Sequence, residues 1–452
     1  MNSSSACFSV TVAIVLAFAF SSPSRILADT AAEISQKAAK INLRGLEQLH
    51  KKEYEQAIAS FREALQLHPE FPEALDNLGK ALEATGKEGE AVADFDKAIQ
   101  LAPENAAVYA DKGMALIHEG KYEEAAAAYR QALKHHKNFS EAQNGLGAAL
   151  LHLGKTDEAI SAFRSAIATN PKNADALGNL GSTLLSEHKP QDALPFLRRA
   201  HSLQPDVAAF LEDYALGLDE TGQTQEAIAA YHKLTTKHPD QPDAWAHLGH
   251  LYYKSKRYDQ AFSAFQRSLS LKPDQPEVLV ALGQTQLDQN KLPDAIQSFE
   301  KCLLLKPDEF YALYNLGNAY YAQKDYAKSA TYYEKAFAQK PDFPDSLAGL
   351  AASQLAANKF DDAIATCKKL IPLKPEDANI RFNCGTAFFN SGRFQDAAAS
   401  YREAVRLNPS FAHAHYNLGM ALLRLNDSKS AQAEFAEAQR LDPSLIPPAA
   451  TK

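Results

Sequence analysis

A proline recurs every 34 residues with no insertion or deletion: Pro69, Pro103, Pro171, Pro205, Pro239, Pro273, Pro307, Pro341, Pro375, Pro409 and Pro443. One slot fails, where Lys137 stands. An unbroken period of this length marks a solenoid, in which each repeat buries its apolar face only against its neighbours. Length alone would divide 452 residues into about three domains. A repeat array instead grows along its axis without starting a new core, so the chain reads as one array.

Placing the proline at position 32 divides residues 38 to 445 into twelve repeats, from 38–71 to 412–445. Position 8 is glycine in ten of them, with Ala215 and Ala351 replacing it, and position 20 is alanine except at Ser329. Position 24 is aromatic in ten, as at Phe95, Tyr129, Phe265 and Tyr333; Leu197 and Cys367 are the exceptions. Within Asp76–Ala84 the apolar residues are spaced by three and four, so each repeat holds two amphipathic helices split by a short turn. Small residues at positions 8 and 20 let the two helices cross closely, and the ring at 24 fills the space toward the next pair. Proline lacks an N–H and restricts the residue before it, so position 32 ends the second helix at a fixed point. A constant rotation per repeat then predicts a right-handed superhelix with a concave inner groove.

The set of glycine at 8, alanine at 20, an aromatic at 24, frequent alanine at 27 and proline at 32 resembles the tetratricopeptide repeat over residues 38 to 445. The resemblance implies an all-α fold, an α-solenoid of helix-turn-helix repeats in a right-handed superhelix. It also implies that the first helices line a groove holding a peptide or protein segment, and that the chain is a binding scaffold, not an enzyme.

Residues Phe8 to Phe20 form a 13-residue apolar stretch followed by Ser21, Ser22, Pro23 and Ser24, with a cleavage site expected near Ala28 or Ala31. That is the pattern of a signal-peptide core, short for a membrane span. The n-region has no Lys or Arg, so an uncleaved membrane anchor is the alternative. The expected organisation is a leader over 1–28, an extension of the first helix over 29–37, the repeats over 38–445 and a tail over 446–452. A secreted or periplasmic location follows, or attachment to a membrane by the N-terminus.

Cleavage would leave Cys302, Cys367 and Cys384, all at packing positions. They read as buried thiols, or Cys367 and Cys384, on adjacent helices, pair in an oxidising compartment. The net charge of -8 carries no long like-charge run, which argues against nucleic acid as a partner.

Catalytic patterns do not assemble. Gly154, Lys155 and Thr156 look like the end of a phosphate loop, but Ala149 stands where its first glycine belongs and no strand precedes it. His118 and Glu119 lack the second histidine of a zinc-hydrolase helix. No cofactor is expected. His247 and His250, one helical turn apart near Glu212, Asp213, Asp219 and Glu220, are weak candidates for a divalent metal, with a solvated polar groove as the alternative.

For the groove, the lysine and asparagine set that grips a chaperone's carboxylate tail in related repeats is not met in any three consecutive repeats. A second mode of the family, asparagines at position 6 forming a ladder along a peptide backbone, is matched in part by Asn77, Asn179, Asn315, Asn383 and Asn417. Such an amide both donates to and accepts from a peptide group. The last four repeats add Asn318, Tyr311, Tyr314, Tyr321, Phe382, Phe389 and Tyr416, a composition suited to protein contact. The aromatics at positions 5 and 12 have a second reading as packing between first helices.

Three irregularities complete the reading. Pro195 and Pro372 fall in or near second helices, where an interior proline removes a helix bond. After Pro443 only SLIPPAATK remains, so the usual capping helix is missing; the face around Leu422, Phe435 and Ala438 should be exposed unless Leu445 and Ile446 cover it, which would favour self-association. The sequence thus describes an exported non-catalytic scaffold for a protein or extended peptide. The rival is a targeting or substrate-presenting subunit of an enzyme, secretion or glycosyl-transfer complex.

Overall fold

The computed structural model describes residues 23–448. All regular structure in that range is helical: twelve helix-turn-helix pairs, nine of which place the first helix at positions 1 to 13 of the repeat and the second at 17 to 30, as in Ala106–His118 with Tyr122–His135. The chain is an all-α solenoid. Its contacts divide it at Gly217 and Leu218; in each half consecutive helices pack on one another, as Pro72–Glu83 does on Glu88–Leu101, and first helices of adjacent repeats also touch, as Pro242–Lys254 does Pro276–Asp288.

The opening helix, Pro23–His50, runs unbroken through Ala28 and Ala31 into the first repeat. The apolar stretch Phe8–Phe20 lies outside the described residues. Among those described, no helix is long and apolar enough to cross a membrane.

A ring locks the pair in ten of the twelve repeats. Phe95 is fully buried and lies on Gly79 of its own repeat, where a Cβ would come within 2.5 Å of the ring. A ring at position 24 also reaches the following repeat: the Tyr129 hydroxyl would lie 2.6 Å from a Cβ on Gly145, at position 6 of repeat four. The ring therefore fills its own helix crossing as well as the space toward the next pair. Burying a side chain of this size contributes about 1.5–3 kcal/mol, and the alanines at 20 and 27, such as Ala91 and Ala98, are fully buried beside it. At the one exception at position 20, the Ser329 hydroxyl donates to the Gly317 carbonyl at 2.8 Å and lies 2.7 Å from the Ser353 hydroxyl, so its polarity is satisfied.

The turn is equally uniform. Position 15 is left-handed in every repeat, from His188 at φ 56° to Gly392 at φ 81°. In repeat two, Lys87 N–H reaches the Leu82 carbonyl and Gly86 N–H the Glu83 carbonyl, both at 3.0 Å, the paired bonds of a Schellman stop. At the other end, the second helix of repeat three stops at His135 although Lys137 fills the proline slot. Its cap His136 has φ −134° and ψ 88°, against −138° and 86° at His68, which precedes Pro69. The periodic proline reinforces a stop that the docking of the next repeat already imposes.

Pro195 is accommodated inside the continuous helix Pro190–Leu203. Around Pro372 the outcome differs: Phe360–Leu370 has 11 residues where its counterparts have 14. Pro372 has no N–H to extend that helix, and Leu373 N–H turns back to the Leu370 carbonyl at 3.0 Å. In the same repeat Cys367 is disulfide-bonded to Cys384 of the next first helix, Ala378–Asn390, with Cα atoms 5.8 Å apart. Cys302 is buried and free.

The expected exposure at the carboxy-terminal end does not occur. Leu422 and Phe435 are 3% and 5% exposed and Ala438 is fully buried. Phe435 packs on Gly419 and Tyr416 of its own pair, so the last helix, Ser428–Leu441, turns Gln432, Ala433, Ala436, Gln439 and Arg440 outward. The exposed apolar face on which the expectation of self-association rested is therefore not found at these residues.

Candidate functional site

Positions 2, 5, 6, 9, 12 and 13 of successive first helices form one continuous side-chain face within each half. The two asparagines of the amino-terminal half are already engaged there. Asn77, 9% exposed, donates through Nδ2 to Asn42 Oδ1 at 3.1 Å, and Asn179 Nδ2 donates to Asn144 Oδ1 at 3.0 Å. Each joins position 6 of one repeat to position 5 of the repeat before it.

Charge dominates the rest of this half. Lys80 Nζ lies between Asp76 at 2.8 Å and Asp111 at 3.0 Å. Burial pushes Asp111 up to about 6 against the pull of Lys80, and pushes Asp213 to about 6 with the Glu212 carboxylate adding to it and a Ser182 hydrogen bond opposing. Glu83 is also raised by burial, opposed by His118 at 3.1 Å.

In the carboxy-terminal half several of the expected aromatics are structural. Tyr314 is half-buried, edge-on to Tyr333 and Phe343 at 5.7 and 5.3 Å, and Asn318 Oδ1 accepts from the Tyr333 hydroxyl at 2.5 Å. Phe389 packs against Phe394 at 5.4 Å; Tyr416 lies on Phe435 and donates to the Ile446 carbonyl at 3.4 Å. Asn417 Nδ2 is 3.5 Å from the Tyr401 hydroxyl. Tyr321, 40% exposed, and Asn383 remain open to solvent.

A concave stretch of the face lies across the first helices of repeats seven, eight and nine, Pro242–Lys254, Pro276–Asp288 and Phe310–Ala322. A cleft of about 260 Å³ is lined there by His250, Tyr253, Glu277, Val280, Ala281, Gln284, Tyr311 and Asn315. The Tyr253 hydroxyl donates to Asp288 Oδ2 at 2.7 Å, and burial, with that carboxylate second, holds its pKa at about 12. Desolvation, with the field of His247 second, holds the His250 imidazole below its ordinary pKa. Its ring meets Phe265 edge-on at 5.0 Å, and His247 stacks on Tyr231 at 5.4 Å. No group of three or more His, Cys, Asp or Glu suited to a metal occurs among the described residues. Of the expected residues, the cleft brings together Asn315, Tyr311 and His250. Tyr253, Glu277 and Gln284 were missed, because aromatics were sought only in the last four repeats and amides only as asparagine, while Tyr253 lies in repeat seven and Gln284 and Glu277 in repeat eight.

Tetratricopeptide family models match residues 45–86, 72–105, 111–169, 150–211, 184–248, 320–381 and 384–446. The model described as the cytochrome c-type biogenesis protein H TPR domain matches 234–339, the segment that holds the cleft. The chain belongs to the tetratricopeptide-repeat family. No curated protein matches it. Among solved structures, YrrB, described as a TPR protein with an unusual peptide-binding site, is 26% identical over 41% of this chain and 96% of its own, with a TM-score of 0.38. PilF of Pseudomonas aeruginosa is 19% identical over 46% of this chain and 96% of its own, at 0.42. Yeast Tom70 is 16% identical over 91% of this chain and 98% of its own, at 0.35.

Proposed function

We propose that the chain is an exported, non-catalytic scaffold that holds an extended protein segment along its first-helix face. The observation that carries this reading is the division of labour within each repeat. Positions 8, 20, 24 and 27 are consumed by the lock, while the first-helix face presents solvent-open amides and rings, among them Tyr311, Tyr321 and Asn383. Exposed aromatic surface beside amides is the composition of a protein-contact surface. The Cys367–Cys384 bond supports export, since disulfides persist in oxidising compartments. The match of 234–339 to a biogenesis-protein domain favours, as a second reading, a subunit that presents a substrate segment to a partner enzyme.

The test is crosslinking capture with the full chain in its own extract, comparing wild type, the triple variant Tyr311→Ala, Tyr321→Ala, Asn383→Ala, and a control with Lys301→Ala and Glu334→Ala on second helices. The triple variant alone should lose the captured protein. Equal recovery by all three would refute the first-helix face as the binding surface.

A further inference from the structure

We propose that the cleft between repeats seven, eight and nine is a receptor for one arginine side chain of the bound segment; this rests on the reading of the first-helix face as the binding surface. Size is the first argument. A cleft of about 260 Å³ falls below the roughly 300–1,000 Å³ of sites for whole small molecules, and matches one long side chain inserted from a chain lying across the helices.

Chemistry is the second. Glu277 is the one carboxylate lining the cleft; it is exposed and, among the described residues, has no ion-pair partner. No lysine or arginine lines the space. A ring wall is supplied by Tyr253, whose hydroxyl is tied to Asp288, so the ring is held in place and a second carboxylate stands behind it. The amides of Gln284 and Asn315 add acceptors at the rim. A guanidinium presents five N–H donors in a flat fork that stacks on an aromatic face and pairs with a carboxylate, whereas a lysine ammonium is a compact hydrated charge. The flat wall, the single carboxylate and the acceptor amides favour arginine. Val280 and Ala281 would cover its methylene stem.

A neighbouring cation makes the inference sharper. Lys340 Nζ stands 4.8 Å from the centre of the Tyr311 ring and 4.6 Å from that of Phe310. It loads Tyr311 with a cation from within the chain, which leaves Tyr253 as the ring for an incoming one. Lys340 thus competes electrostatically with the guest, and its removal should strengthen binding.

The experiment selects a phage-displayed random dodecapeptide library on the full chain, then measures the enriched peptide in solution with its arginine replaced by citrulline, a neutral isostere. Arginine should be enriched at one position, and citrulline should weaken binding about tenfold, the scale of one partly desolvated cation–ring and carboxylate contact. Glu277→Gln should shrink the difference between arginine and citrulline to what the Tyr253 ring contributes, and Lys340→Ala should tighten arginine binding. Enriched peptides without a recurrent cation, or an arginine preference unchanged in Glu277→Gln, would overturn the proposal while leaving the first-helix face as a binding surface. If no peptide is enriched, both fall.

Discussion

Repeats two and ten solve the same packing problem with different chemistry. In repeat two a ring, Phe95, lies in the hollow over Gly79. In repeat ten the ring is replaced by Cys367, the hollow by Ala351, and the joint to the next repeat is made by the bond to Cys384. In repeat ten the two departures fit one another: with the ring gone, the methyl of Ala351 occupies space that glycine would leave empty. The second helix there also stops three residues early. One joint thus depends on apolar volume and the other on a covalent link, and the link ties only neighbouring repeats of a structure whose stability is a sum of local terms.

The largest expected effect breaks the ring joint. Phe95→Ala should cost about 3–5 kcal/mol, seen as lost hydrogen-exchange protection in repeats two and three, with repeats ten and eleven unchanged. The converse belongs to the covalent joint: reductant, or Cys384→Ser, should cost up to about 3 kcal/mol, the value for a loop of this length. That loss should be confined to repeats ten and eleven. A reductant effect of equal size on repeat two would dissolve the distinction.

A third prediction concerns what lies at position 6 beyond the lock. Where the ring is tyrosine, the hydroxyl reaches toward position 6 of the next repeat, as Tyr129 does to Gly145 and Tyr401 to Asn417. In repeat five the lock residue is Leu197, with no hydroxyl, and the corresponding position 6 is Asp213, pushed by burial from 3.8 to about 6. A folded pKa above the unfolded one means that the native state holds the proton longer. Stability is therefore greatest below about pH 4 and falls as pH rises from about 4 to about 6. Asp213→Asn should remove that slope and raise stability at pH 8 by about 1–2 kcal/mol after allowance for partial exposure, with no gain at pH 4. Denaturant titrations at the two pH values would check it.

The smallest effect lies in the turns, which both kinds of joint share. Lys324 occupies the left-handed position with φ 64° and Gly120 with φ 75°. Lys324→Gly should add up to about 1 kcal/mol by removing the cost of a side chain there, and Gly120→Ala should lose a similar amount. Thermal melts of the two variants should shift in opposite directions.

What the linear chain determined is the scaffold. Its 34-residue period, the glycine at 8 and the ring at 24 recur because two helices can cross closely only where one side chain is missing and another fills the gap. Those are local demands, written at fixed positions and legible without coordinates. The use of each groove side chain depended instead on neighbours up to 35 residues away. Asn77 is legible as an amide but not as one already bonded to Asn42; Tyr314 is legible as an aromatic but not as part of a packed cluster. The cleft joins positions 2, 9 and 12 of different repeats, a juxtaposition that exists only after three first helices have docked. The end of the array follows the same division. The polar residues of Ser428–Leu441 are visible in the sequence, but that they face outward is decided only once Phe435 has turned inward. Which positions the lock needs is a matter of helix geometry; which remaining positions stay open is decided by packing between repeats.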